Sequence, residues 1–181
     1  MRRHCLLASF LLLLSSLTWA QDLFDPNLTP EGVRAALDAG ADLEARDEWG
    51  VTPLMSAARN DYNREVVQVL LDAGADLEAR DEDGQTPLLY ATWWGSKPEM
   101  VQALLYAGAD VNARTEDGST PLMSAARNSY NPAVVQVLLD AGADPSIQDN
   151  EGKMAWDHIQ ENDALKDTDA YSELKDRSSD E

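Results

Sequence analysis

The side chains best suited to nucleophilic, acid–base or zinc chemistry are scarce in this chain. There are two histidines, His4 and His158, and one cysteine, Cys5. His4 and Cys5 fall in an N-terminal stretch that reads as a leader, so His158 stands alone. A Ser–His or Cys–His nucleophile pair has little to draw on, and zinc sites built from His and Cys ligands are excluded by count. The glycines are accounted for by turns and helix ends, and none forms a phosphate-binding loop. Carboxylates are the exception, with 33 Asp and Glu against 14 Lys and Arg. Asp81-Glu82-Asp83-Gly84 has the look of the middle of a calcium loop. An EF-hand, however, would want an acid at Ala79 and a glutamate where Tyr90 stands. A solvated acidic turn is the better reading. Paired carboxylates of the glycosidase kind cannot be singled out from the rest. The expectation is a chain with no catalytic residue, no cofactor and no metal site, and with His158 in a structural or surface role. A hydrolase using surface carboxylates is the remaining enzymatic alternative.

The first 20 residues set the compartment. Met1-Arg-Arg-His4 is a positive n-region, Cys5 to Leu17 is apolar, and Thr18-Trp19-Ala20 places small residues where a signal peptidase reads. The apolar run is shorter than the roughly 20 residues of a membrane span. Cleavage is expected after Ala20, giving a periplasmic or secreted protein with no membrane insertion afterwards. Cleavage removes the only cysteine, which suits an oxidising compartment. It also removes Arg2 and Arg3 and no acid, so the formal charge goes from -19 to -21. Such a charge disfavours nucleic acid and anionic membranes, and favours either plain solubility or a partner with a basic surface.

The elements that must position any site follow from a repeat. Gly40, Gly74, Gly108 and Gly142 are 34 residues apart, as are Gly50, Gly84, Gly118 and Gly152. Thr52-Pro53-Leu54, Thr86-Pro87-Leu88 and Thr120-Pro121-Leu122 keep the same period. Between Thr52–Asp76 and Thr120–Asp144, 22 of 25 positions are identical, and the differences cluster at 61/129, 64/132 and 65/133. Periods of this length mean a stacked array. Within one unit, Thr52 can cap a helix and Pro53 suits its first position. Leu54, Ala57 and Ala58 then share a face. Asn60 to Asn63 break that helix, and Val66, Val67, Leu70 and Leu71 form a second, more apolar one. Gly74 ends it in a left-handed conformation, and Asp83-Gly84 marks a turn. Each unit is therefore helix, loop, helix and projecting hairpin, and stacking supplies the core.

With T-P-L-M-S-A-A at 52–58, V-V-Q-V-L-L-D-A-G-A-D at 66–76, and their copies at 86–110 and 120–144, the chain resembles the ankyrin repeat family over roughly 29–165. The expected architecture is an all-α repeat solenoid of period 34, with β-hairpin or turn tips. Three full repeats span 47–80, 81–114 and 115–148. A capping half-repeat covers 21–46 and a C-terminal cap 149–175, with Trp156 buried in the cap and a disordered acidic tail at 176–181. The family usually has histidine after T-P-L, where this chain has Met55, Leu89 and Met123, so helix starts should depend more on packing. The extra residue of the period falls in the loop between helices.

The resemblance implies protein binding through hairpin tips and the exposed residues of each first helix. Carried over, these are Glu48, Trp49, Val51, Arg59 and Asn60; Glu82, Asp83, Gln85, Trp93 and Trp94; and Glu116, Asp117, Ser119, Arg127 and Asn128. Three exposed tryptophans in neighbouring units would make an interface patch, ringed by the acidic tips. The competing reading of Trp93-Trp94 is packing, because Ser96 stands where the sister units have Tyr62 and Tyr130. Arg46, Arg80 and Arg114 also recur, and are expected to pair with acids in the hairpin stack. The expectation is a monomeric, exported bacterial scaffold that binds another protein. An inhibitor or immunity-type protein occluding a basic toxin or enzyme is the alternative.

Overall fold

The computed structural model describes residues 23–25, 27–59, 64–93 and 97–178. The expected leader over 1–20 lies outside these residues. Among the described residues there are nine α-helices and no strand. They are α1 Pro30–Asp38, α2 Pro53–Arg59, α3 Arg64–Asp72, α4 Pro87–Trp93, α5 Pro98–Tyr106, α6 Pro121–Asn128, α7 Pro132–Asp140, α8 Ala155–Ile159 and α9 Asp169–Ser178. None of them is long and apolar enough to cross a membrane.

The helices form two rows. In an inner row α2, α4, α6 and α8 pack each on the next; in an outer row α1, α3, α5, α7 and α9 do the same. The rows join within units, as α2 with α3, α4 with α5, α6 with α7 and α8 with α9. The inner helices present Ala57, Ala58, Ala91, Ala125 and Ala126 to one another, all buried, so their backbones approach closely. Leu70, Leu104 and Leu138 of the outer row are fully buried at successive 34-residue steps. The incomplete first unit contributes only α1, as its sequence implies.

The helix starts repeat one device with a local addition. Thr52, Thr86 and Thr120 Oγ1 accept from the amides of Met55, Leu89 and Met123 at 3.4, 3.5 and 3.3 Å. Where the family's histidine is replaced by methionine, the sulfur takes over part of the bonding. Met55 Sδ accepts from Thr52 N–H at 3.3 Å and Met123 Sδ from Thr120 N–H at 3.4 Å. These starts are thus reciprocal caps rather than packing alone, although sulfur is a weak acceptor. In the last unit Met154 replaces the threonine, and Asp157 Oδ2 accepts from the Met154 amide at 2.8 Å. At the other end of the unit, Ala75 N–H reaches Leu70 O at 3.0 Å and Gly74 N–H reaches Leu71 O at 2.9 Å, with Gly74 at φ +92°. That is a Schellman motif, and nothing lies within 4 Å of a Cβ built on Gly74, so the backbone conformation alone demands glycine there.

The projecting hairpins are tight turns held side by side without a strand ladder. Glu82, Glu116 and Asn150 donate backbone N–H to the carbonyls of Trp49, Asp83 and Asp117 at 3.1, 3.0 and 3.0 Å. Arg46, Arg80 and Arg114 stitch these turns, with partners other than the expected acids. Arg46 Nη1 donates to Gly50 O at 2.9 Å and Arg80 O at 2.6 Å; Arg80 Nη1 donates to Gly84 O at 3.1 Å and Arg114 O at 2.5 Å. Arg114 Nη2 ends the series on Gln148 O at 2.8 Å. The acids are already engaged with backbone amides. Asp47 and Asp81 each accept two amides of their own turn. Glu44 and Glu78 accept the amides of Asp76 and Asp110, 32 residues on, both at 2.9 Å. These four carboxylates therefore already have backbone partners.

The C-terminal cap departs from expectation in two places. Trp156 is half-buried, its ring meeting Tyr171 edge-on at 5.0 Å between centroids and 62° between planes. Only one further helix covers it, where Leu122 has a whole unit on either side. Beyond it Leu165 and Leu174 are buried, and α9 runs through Asp176–Ser178, three residues into the segment expected as a tail.

Candidate partner-binding face

Because the inner helices stack in register, positions 34 apart form columns running along the molecule. One column reads Arg59, Trp93, Arg127 and Glu161, at the C-terminal ends of the inner helices. Another reads Glu48, Glu82 and Glu116 at the turn tips, all exposed. Asp83 and Asp117 are exposed as well, while Val51 and Gln85 are half-buried beneath them. Ser119 departs from its expected role. It is 5% exposed, and its hydroxyl donates to Asp117 Oδ2 at 3.1 Å inside the turn, so it is not offered to a partner. Hydrogen bonds from the Thr115 hydroxyl, and then from the Ser119 amide and hydroxyl, outweigh burial and hold the Asp117 carboxyl below the usual range. Asn60 and Trp94 lie outside the described residues.

Trp49 and Trp93 are both outside the core, at 61% and 42% exposure. They stand at different ends of the inner helices. Trp49 sits in the turn before α2, and its counterpart in the next unit is Asp83, at the N-terminal side of α4. Trp93 is the last residue of that seven-residue helix, about 9 Å along its axis from the first at 1.5 Å per residue. The two rings thus mark opposite edges of the inner face.

Trp93 has other company. It lines a groove of about 490 Å³ together with Arg127, Asn128, Tyr130 and residues 161–164. Tyr130 is 85% exposed, while Tyr62, Trp94 and Ser96, the other members of the packing comparison, lie outside the described residues. At Tyr130 the sister position contributes no buried contact that a tryptophan would have to replace. Tyr130, Glu161, Asn162, Asp163 and Ala164 were not among the residues expected from sequence. Their signal was present in the Arg59–Trp93–Arg127–Glu161 column, which extends the inner face into the cap. Asn162 anchors that end, its Nδ2 donating to Ala126 O at 3.0 Å and Ser129 O at 2.9 Å and so closing the end of α6.

Beneath the groove lies a buried His158–Asp149 pair covered by Arg127. His158, 3% exposed, has Nε2 3.0 Å from Asp149 Oδ2. Arg127 Nε donates to His158 Nδ1 at 3.4 Å. Its Nη2 lies 3.1 Å from Nδ1 and 3.2 Å from Nε2. An in-plane approach equidistant from both nitrogens would collide with Cε1, so Nη2 sits over the ring face. A guanidinium only donates, so Nδ1 accepts and the Nε2 proton points to Asp149. Burial pushes the Asp149 carboxyl up, but the amides of Lys153 and Glu151 together with His158 outweigh it and leave the carboxyl below its usual range. This arrangement resembles the base and orienting acid of a catalytic triad only superficially. The nitrogen that would face a nucleophile is covered by Arg127, and the ring is closed to substrate.

Two units earlier the same column positions carry a neutral version. Tyr90 Oη donates to Asp81 Oδ2 at 2.7 Å, and burial, followed by that hydrogen bond to a carboxylate, raises the phenol strongly above its ordinary value. In the unit between, Thr115 replaces the acid and Ser124 the long partner, and Ser124 Oγ is buried without a hydrogen bond.

Comparison with protein families adds the last element. A family model described as "Ankyrin repeats (3 copies)" matches residues 25–115, and one described as "Ankyrin repeats (many copies)" matches 104–159. A comparison with curated proteins finds no match. Ankyrin repeats generally mediate protein–protein interaction. The two-row stack, the 34-residue turns and the family match over more than half of its length agree: the chain belongs to the ankyrin repeat family.

Proposed function

We propose that the protein is a non-catalytic scaffold, exported to the periplasm or beyond, that binds another protein through the inner helix row and the turn tips. One observation carries this reading. At the end of α4, where the sister helices place arginine, the chain sets a tryptophan that remains 42% exposed. A large apolar ring in solvent gains its free energy on association, and tryptophan is over-represented among the residues that dominate interfaces. The close-packed alanine row curves such a stack toward the inner helices, so Trp93 and Trp49 frame a concave face. The exposed Glu48, Glu82 and Glu116 tips give that face a negative edge, which steers a basic partner and makes association salt-sensitive.

Affinity capture from the envelope fraction of the source cells, comparing wild type with Trp93→Ala/Trp94→Ala, tests the reading. A discrete protein lost in the variant supports it. Equal recovery by both, with a lower unfolding midpoint in the variant, makes the tryptophans structural and overturns it. Turnover in a broad hydrolase panel, abolished by one Asp or Glu change, would overturn the non-catalytic part.

A further inference from the structure

We infer that the groove between Trp93 and Tyr130 receives an arginine or lysine side chain carried on an extended segment of the partner protein. This rests on the inner row being the partner-binding face. The groove holds about 490 Å³ and is open along its length, room for a side chain and its flanking backbone rather than a folded domain. Two aromatic side chains line it, Tyr130 largely exposed and Trp93 partly so. Aromatic ring faces carry negative quadrupole potential and attract cations within about 6 Å.

The charges around the groove select the same ligand. Glu161 and Asp163 line it. Lys166 engages Asp163 at 2.5 Å, whereas Glu161 is in no close ion pair among the described residues and feels Lys153 only at longer range. Arg127 is the one cation in the lining, and its charge is already directed elsewhere. Its guanidinium lies over His158 with the Asp149 carboxylate beyond the ring, and it also acts on Asp117. In the column Arg59–Trp93–Arg127–Glu161, the two non-basic members flank Arg127, so an incoming cation finds a ring on one side and a carboxylate on the other. The chain's formal charge of -19 supplies the long-range attraction.

Fluorescence anisotropy of a dye-labelled peptide, with three arginines spaced by glycines, titrated with the full chain tests the inference. Lysine and aspartate counterparts serve as comparisons. Saturable binding of the arginine peptide is expected, weakened at least fivefold by Trp93→Ala and by Tyr130→Ala. Neither substitution changes charge, so generic attraction to an acidic protein is unaffected by them. Glu161→Gln should weaken binding similarly and flatten its salt dependence, while the circular dichroism melt stays unchanged in all three. Equal affinity for wild type and Trp93→Ala would overturn the inference, as would tighter binding of the aspartate peptide, which would make Arg127 the anchor. A partner retained by Trp93→Ala/Tyr130→Ala but lost on Trp49→Ala would overturn the groove and leave the scaffold reading standing.

Discussion

Tyr90 Oη donates a hydrogen bond to Asp81 Oδ2 at 2.7 Å, and 68 positions further on His158 stands in the same relation to Asp149 at 3.0 Å. In both pairs the acid also accepts two amides of its own turn, and its partner lies nine residues later on the inner helix. Each pair bolts a turn to the helix that follows it. The proposed binding face is built on those two parts, so their relative placement fixes its shape.

Removing one bolt should register as stability. Tyr90→Phe keeps the buried ring and loses only the hydroxyl that faces a carboxylate. A cost of about 1.5–3 kcal/mol is expected from a hydrogen bond to a charged group. Urea unfolding reads it as a lower midpoint with an unchanged slope. A shift under a few tenths of a kcal/mol would mean that the pair is incidental.

The intermediate unit offers the converse test. Thr115 and Ser124 occupy the pair's positions, and Ser124 Oγ is buried without a partner. Ser124→Ala should therefore be neutral or slightly stabilising, within about 0.5 kcal/mol. Thr115→Asp combined with Ser124→Tyr should restore the pair. A double-mutant cycle is expected to show favourable coupling of about 1 kcal/mol; zero coupling would show that nine-residue spacing alone does not create it.

Acid should loosen the stack in a defined window. Asp149, Asp117 and Asp144 are all held below the ordinary carboxyl range by hydrogen bonds, against burial. A depressed folded-state value adds stability that is present above the unfolded value, about 3.9. That stability is lost as pH falls through the folded values. Unfolding midpoints should be level from about pH 5 to 7 and drop below about pH 4. Asp149→Asn, with its side chain 6% exposed, should start lower and lose less on acidification. A variant with the same acid slope as wild type would remove Asp149 from the account.

The arginine stitches make a prediction about salt. Because Arg80 bonds the carbonyls of Gly84 and Arg114 rather than carboxylates, Arg80→Ala should cost about 1 kcal/mol at both low and high salt. A cost that disappears by about 1 M salt would assign its role to the acids instead.

The fold was legible because the units repeat. Thr-Pro-Leu, the apolar outer helices and the glycine stops each stand at 34-residue spacing, and each forms what its chemistry implies. What escaped was contact geometry between copies. Arg46, Arg80 and Arg114 looked like partners for acids because neighbouring acids are abundant, yet those acids are occupied by turn amides. Trp49 and Trp93 looked adjacent because their units are, but they belong to opposite ends of the inner helices. The exposure of Tyr130 is likewise not legible from the alignment with Ser96, since aligned residue types carry no information on how far a loop ring stands from the core. The Asp81–Tyr90 and Asp149–His158 pairs were within reach, since the two pairs occupy the same aligned columns.

The central claim is that a protein partner docks on the inner row beside Trp93. Photo-cross-linking in the source cells tests it most directly, with a photoreactive amino acid placed at position 93 in one strain and at position 106 in another. Tyr106 is 85% exposed on the outer row, so both positions are accessible and only the face differs. The account predicts a discrete protein adduct from position 93 and none from 106. An adduct from 106 alone, or from neither position, would contradict it.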